Sequence, residues 1–489
     1  MSKKEKSKEN KPKDIKVKRN RSGHSATLII LPIIFGILAA AGYSIYLEVS
    51  TVPDLPQIDL NAWWGPNDTK TNQDTSVRPY KVVFSDGLIY DLNQRQERYR
   101  ADTKGKKSLP EVAWTYGVHS DGFAQFFAHW LFKCSTKYPE RVKFLNQFDH
   151  FLTNIQGLDI HFIHVKPKVR NEVKVVPLLL LHGWPGSVRE FYEAIPLLTT
   201  PKPGYDLVFE VIAPSLPGFV FSQAPVRPGL GSPQIAVIMR NLMQRLGFSQ
   251  YVVQGGDIGH FIGSDMATLF PNQLLGFHSN MPLNFQKKTI WTWVLGGVWP
   301  TLVEHDHTDR LYPLRKHIEF FLEESGYSHI QSTKPDTIGV ALQDSPVGLA
   351  YYILDRFMIF TDPSNKFEED GGLSKHYNMT NIVDNIMLYW ATNCITTSMR
   401  LYKEMAGMTE LTTVLAKIPT QVPTWGLRLK HELFFQPEFT LRWKFTNLLG
   451  TTTLDKGGHF AAFEMPDVFA DDVFKAVKSF IDFRNKVVK

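Results

Sequence analysis

The chain is expected to be an α/β protein built on an open, doubly wound, mostly parallel sheet into which a block of helices is inserted. Three features carry that expectation. Segments 175–181 (VVPLLLL), 207–213 (LVFEVIA) and 251–254 (YVVQ) are short apolar runs, as found in strands buried on both faces of a parallel sheet, and each leads into a loop rich in Gly or Pro. Between the second and third, 232–246 (SPQIAVIMRNLMQRL) has the apolar spacing of a helix with Pro at an N1-like position. The alternation then stops at 284 and a β-like run returns only at 419–427; the stretch between is dense in helical patterns and Trp.

Taken in order, 1–25 is a basic tail. Up to Arg21 eight Lys and two Arg oppose Glu5, Glu9 and Asp14, a net of +7; the whole chain carries +6, so the remainder totals −1. A nucleic-acid binder needs a basic face on its folded part, and that class is excluded. Segment 26–47 (ATLIILPIIFGILAAAGYSIYL) has no charge over 22 positions, and roughly 20 apolar residues span the ~30 Å hydrocarbon layer as a helix. A cleaved signal peptide is the alternative, with Ala39-Ala40-Ala41 in its favour, but its apolar core usually runs only ~7 to 15 residues. Read as an anchor with Glu48 and Asp54 behind it, the segment places the tail in the cytosol by the positive-inside rule. Asn67-Asp68-Thr69 and Asn378-Met379-Thr380 are glycosylation sequons compatible with the other side.

A Pro-containing linker opens the N-terminal region 53–167, which is rich in Trp, Phe and Tyr and closes on the strand-like 158–165 (LDIHFIHV). The sheet domain occupies 168–283 and 410–489, the helical lid 284–409, and a helical pattern at 466–487 ends the chain. Hydrophobic residues at 43% and charged residues at 21% exclude global disorder. Cys134 and Cys394 form neither a C-x-x-C nor a Cys/His cluster, which excludes a disulfide framework and a structural zinc site; a single bridge between them stays open.

Three motifs carry chemistry. Gly255-Gly256-Asp257-Ile258-Gly259 follows an expected strand and precedes a helical pattern, as a nucleophile elbow does, with small residues two before and two after the nucleophile. A turn with an N-capping Asp is the other reading. His182-Gly183-Trp184-Pro185-Gly186 follows the first buried strand, where a backbone N–H of Trp184 and that of Ile258 would form an oxyanion hole. Gly457-Gly458-His459 lies before the last helix, so the α/β-hydrolase order of nucleophile, acid and histidine is satisfied and His459 is the best base among sixteen histidines. A carboxylate that attacks an sp³ carbon leaves an alkyl ester, which water must then cleave at the Asp carbonyl. Such a site needs a histidine to activate water, an acid to orient it and donors for the leaving oxygen or halide. For the orienting acid, Asp455 is the candidate nearest His459.

These lines, with Gly157-Leu158-Asp159-Ile160-His161, Ser215-Leu216-Pro217-Gly218-Phe219, Glu324-Ser325-Gly326-Tyr327 and Asp344-Ser345-Pro346-Val347-Gly348, resemble the microsomal-type epoxide hydrolases, the group that includes insect juvenile hormone epoxide hydrolases. The likeness covers nearly everything from Trp63 onward. It implies an α/β-hydrolase fold with an inserted helical lid, an N-terminal extension and a single N-terminal transmembrane helix. It also implies conversion of lipophilic epoxides and water to diols, no cofactor, no metal, no nucleic acid, and a single-pass membrane location in the endoplasmic reticulum. Asp257 would be the nucleophile, His459 the base, Glu432 the orienting acid, and Tyr327 and Tyr402 donors to the epoxide oxygen. A phenol suits that task, being neutral at pH 7 with an ordinary pKa of about 10.

Two departures stand out. The family usually has Trp after the nucleophile, where this chain has Ile258, and its better-known mammalian members place the catalytic domain in the cytosol, against the charge argument above. A haloalkane dehalogenase is one competing reading, but those enzymes usually hold the halide with that same Trp, and Ile258 has no side-chain N–H. A catalytically inactive binding protein is the other; here all five catalytic positions hold competent residues.

Overall fold

A nine-stranded sheet runs through the molecule in the order β1-β2-β3-β5-β4-β6-β7-β8-β9. The strands are β1 Arg78–Tyr80, β2 His150–Ile155, β3 Leu158–Val165, β4 Lys174–Leu181, β5 Leu207–Pro214, β6 Tyr251–Gly255, β7 Leu274–Ser279, β8 Thr424–Arg428 and β9 Leu448–Thr453. The computed structural model describes residues 50–101, 107–169, 173–407 and 410–487, together with Gly42, Tyr43 and Tyr46. Val52 to Lys489 forms one compact unit, and sheet, lid and site all lie within it. The expected tail at 1–25 and the expected span at 26–47 fall outside the described residues, those three positions aside. Among the described residues no helix is long and apolar enough to cross a membrane.

From β5 through β4, β6, β7 and β8 to β9 the neighbours are parallel. Their apolar runs need cover on both faces, and β7 shows how they get it. Successive residues of a strand point to opposite faces: Phe277 meets Gly263 on the helix Ile258–Leu269, while Gly276 meets Phe480 on the helix Pro466–Val487. The N-terminal region is part of the same sheet, since β1, β2 and β3 add an antiparallel edge that joins β5 through β3. The expected strand at 419–427 is confined to Thr424–Arg428, because Pro419 and Pro423 have no N–H to give a ladder.

The inserted helices begin at Lys287–Gly296 and run on through Glu410–Lys417, past the expected boundary at 409. One of them, Met379–Thr392, is tied to the loop after β4: Asn385 Nδ2 donates to Pro185 O at 2.8 Å, Tyr389 Oη to Gly186 O at 2.8 Å, and Ser187 Oγ to Asn385 Oδ1 at 2.7 Å. Arg189, fully buried, bridges Glu193 at 2.7 Å and Asp384 of that helix at 3.1 Å. Breaking one partner of a buried pair strands the other charge, so this network fixes where the lid meets the sheet. Cys134 and Cys394 are both free and buried.

Candidate active site

Four loops at the C-terminal ends of β4, β6, β8 and β9 converge, which is where open α/β sheets place their chemistry. After β6, Asp257 sits at φ 50°, ψ −127°, immediately before the helix Ile258–Leu269. A left-handed backbone is strained for a residue with a Cβ, and close packing enforces it: a Cβ on Gly255 would stand 2.3 Å from Gly259 O. The turn thrusts the carboxyl group out of the sheet toward the β4 loop. There a Cβ on Gly183 would stand 2.3 Å from Asp257 Oδ1, so only Gly lets the carboxylate approach.

Trp184 N donates to Asp257 Oδ1 at 2.9 Å, and the Ile258 N–H donates to the same carboxylate. On the other side His459, after β9, places Nε2 at 3.4 Å from Asp257 Oδ2 and Nδ1 at 2.8 Å from Glu432 Oε1. Glu432 leaves the end of β8, and its Oε1 also accepts from the Leu433 N–H at 2.7 Å. Burial disfavours charge on His459, but Glu432 and Asp257 on either side hold its pKa well above the ordinary value. Burial likewise works against an ionised Asp257, and the His459 contact together with the two backbone N–H groups more than offsets it, leaving the pKa lowered. Asp455, the nearer acid in sequence, instead pairs with Arg310 at 2.6 Å with its side chain 89% exposed.

Tyr327 opens the short helix Gly326–Thr333 and Tyr402 lies on Ile395–Ala406. Their rings meet edge-on with 5.9 Å between centroids. Both rings pack on Trp184: Tyr327 parallel to it at 5.4 Å between centroids, Tyr402 edge-on at 5.8 Å. Burial, reinforced by the nearby Asp257 charge, pushes Tyr327 above the ordinary phenol pKa; Tyr402 rises through burial and the charges of Tyr327 and Asp257. Both phenols are therefore neutral at pH 7.

A cavity of about 420 Å³ lies on this side, lined by Asp257, Ile258, Tyr327, Tyr402, Phe360 and other apolar side chains. That volume lies within the range typical of small-molecule sites. Ile258 forms part of its wall. Asp257 also lines a separate chamber of about 20 Å³ with Glu190, Gln254, Asn280 and His459, enough for one water. Gln254 Oε1 is buried there without a hydrogen-bond partner, while its amide donates to Asn280 Oδ1 at 2.8 Å. Burial raises Glu190 to about 8, opposed by His459 and aided by Asp257. Sequence reading did not single out these three residues. Glu190 follows the Gly186 turn by four positions, the only signal it offers.

Fold and site together define an α/β-hydrolase with a carboxylate, rather than a hydroxyl, at its elbow. Residues 77–191 match the family model for the epoxide hydrolase N terminus and 176–325 the model for the alpha/beta hydrolase fold. The chain is 47% identical over 460 residues to a juvenile hormone epoxide hydrolase of Bombyx mori, covering 93% of this chain and 98% of that one. It is 40% identical over 446 residues to epoxide hydrolase 1 of Sus scrofa, covering 90% and 97%. The crystal structure of the silkworm juvenile hormone epoxide hydrolase superposes with a TM-score of 0.85 at 47% identity, over 87% of this chain and 100% of that one. The chain belongs to the microsomal-type epoxide hydrolase family and is an epoxide hydrolase.

Proposed function

We propose that the enzyme opens lipophilic epoxides through a covalent ester on Asp257, and the observation that carries this reading is the placement of the carboxylate between two backbone donors and a charged imidazole. With Oδ1 held by the Trp184 N–H and the carboxylate further held by that of Ile258, the free oxygen attacks an epoxide carbon. The C–O bond of the ring breaks, and Tyr327 and Tyr402 supply the hydrogen bonds and the proton that the leaving oxygen needs.

Ester formation removes the Asp257 charge, one of the two that keep His459 protonated. The imidazolium pKa falls, its proton goes to the tyrosinate through solvent, and a base is thereby created for the second step. His459, oriented by Glu432, then takes a proton from water. The hydroxide adds to the Asp257 carbonyl carbon, the oxyanion rests on the two backbone donors, and the tetrahedral intermediate collapses to diol and free carboxylate. The one-water chamber lined by His459 and Asp257 supports such an approach.

A single turnover in heavy-oxygen water tests this reading. The first diol is expected to carry unlabelled oxygen from Asp257; immediate label in the diol rejects a covalent ester.

We further propose a single-pass anchor at 26–47 in the endoplasmic reticulum membrane. It is supported by that uncharged stretch and by exposed Leu295, Val298, Trp299 and Leu302 on the lid. Of the two sequons, Asn67 stands on an exposed turn, whereas the Asn378 side chain caps a helix by accepting from Thr380 N. Glycan on Asn67 in cells is expected for a lumenal domain; its absence together with protease sensitivity in sealed microsomes places the domain in the cytosol.

A further inference from the structure

The 420 Å³ cavity is apolar around the reacting carboxylate but not at every point of its wall. On the helix Ile258–Leu269, which Asp257 precedes as its N-cap, Phe261 and Asp265 stand four residues apart on one face, and all three line the cavity. At 1.5 Å per residue Asp265 stands about 12 Å beyond Asp257. It is 8% exposed, and its Oδ2 accepts from Ser232 Oγ at 2.7 Å, Ser232 being another wall residue. An ionised carboxyl group has about four acceptor sites, so capacity remains.

Its charge is balanced by a cation that does not bond to it. Lys444 is 3% exposed and commits its three N–H groups to Thr268 Oγ1 at 2.9 Å, Leu415 O at 2.6 Å and Ile418 O at 2.7 Å. The pair thus offers an incoming ligand an acceptor without a donor, close to neutral overall. An ammonium ligand would bring a second cation beside Lys444. A neutral hydroxyl fits both constraints.

Resting on the assignment of Asp257 as the attacking group, we propose that this far end is a hydroxyl subsite. Preferred epoxides carry an alcohol about 12 Å along an apolar chain from the attacked carbon, and Asp265 accepts its O–H hydrogen bond. Asp265 is then a specificity-determining residue, not merely the counter-ion of Lys444.

The test compares the terminal epoxide of undecenol, whose hydroxyl reaches that distance, with its methyl ether, which matches it in shape but cannot donate. For the full-length enzyme kcat/KM is expected to favour the alcohol by about tenfold, the scale of one hydrogen bond to a charged group. In Asp265→Asn the preference should drop to about threefold, since a neutral acceptor is roughly half as strong. In Asp265→Leu/Lys444→Met, which removes both charges so that neither is stranded, it should approach unity. A ratio between two substrates on one preparation is unaffected by the fraction folded. The shorter hexenol pair should show no preference in any variant. Equal rates for the undecenol pair in the unaltered enzyme, an undiminished ratio in Asp265→Asn, or a hexenol preference of the same size each overturns the subsite. Full activity of Asp257→Ala would instead reject the nucleophile, whatever the ratio.

Discussion

Asp257 and His459 stand on loops that leave a buried sheet, whereas Tyr327 and Tyr402 stand on helices of the inserted block, and the segment that carries Tyr327 is held very differently from the sheet loops. β6 is buried at every position and the β4 loop is clamped by Asn385, Tyr389 and Arg189. Around Tyr327, helix Gly326–Thr333 buries only Gln331 and the preceding Leu314–Glu324 buries none of its residues, while the helix of Tyr402 buries Ile395, Thr396, Ser398, Met399 and Leu401. Elements with few buried contacts open at lower cost. The covalent chemistry proposed above would thus fall to the rigid side, and the segment that carries Tyr327 is the one free to adjust.

The largest effect should come from the sheet side. His459→Gln removes the base but leaves the nucleophile, so turnover is expected to fall by about 10³-fold or more while ester accumulates. Intact-protein mass spectrometry should show one added substrate mass; no adduct would break the division of labour.

On the lid side the expected losses are smaller and shared. Tyr327→Phe and Tyr402→Phe should each cost about tenfold in kcat, and the pair together well over a hundredfold, because either phenol can still donate when the other is lost. If one single variant matches the double, only that phenol transfers the proton.

The smallest effect concerns Glu190. Its pKa lies near 8, above the ordinary 4.5, so it is neutral beside Asp257 at pH 7 and ionises as the pH rises through about 8. Single-turnover ester hydrolysis is expected to decline several-fold across that limb, and Glu190→Gln should flatten it. The sign for stability follows from linkage. A raised folded-state pKa gives stabilisation that is complete below pH 4.5 and lost as pH climbs to about 8. The Tm difference between the two proteins should change across that window; parallel Tm curves would leave Glu190 without the expected ionisation.

The same contrast explains what could be read before the structure. The strands at β4, β5 and β6 and the helix Ser232–Arg245 follow from continuous apolar runs and helical spacing, and the elbow follows from glycines whose backbone role is local. Side chains that meet through the lid have no such local mark. Tyr327 and Tyr402 are two of seventeen tyrosines, and only family likeness separates them. Proximity in sequence favoured Asp455 for His459, but it is exposed and paired with Arg310, while Glu432 arrives from β8 by sheet order. The antiparallel edge was hidden for a similar reason: β1 has three residues, too few to show a period. Asp265 was within reach of the sequence, since positions 257, 261 and 265 repeat at helical spacing, but only the cavity shows that this face is open.

The strained backbone at Asp257 is set by packing among glycines and owes nothing to a carboxylate. In evolutionary terms it is a socket, able to receive Ser or Cys with little disturbance to the sheet beneath. In the mechanism proposed above, what commits this molecule to epoxides lies across the cavity, in phenols that would answer to a leaving alkoxide. A lineage can therefore change its chemistry from either side, and converting this enzyme to an esterase would require rewriting the lid as well as the socket.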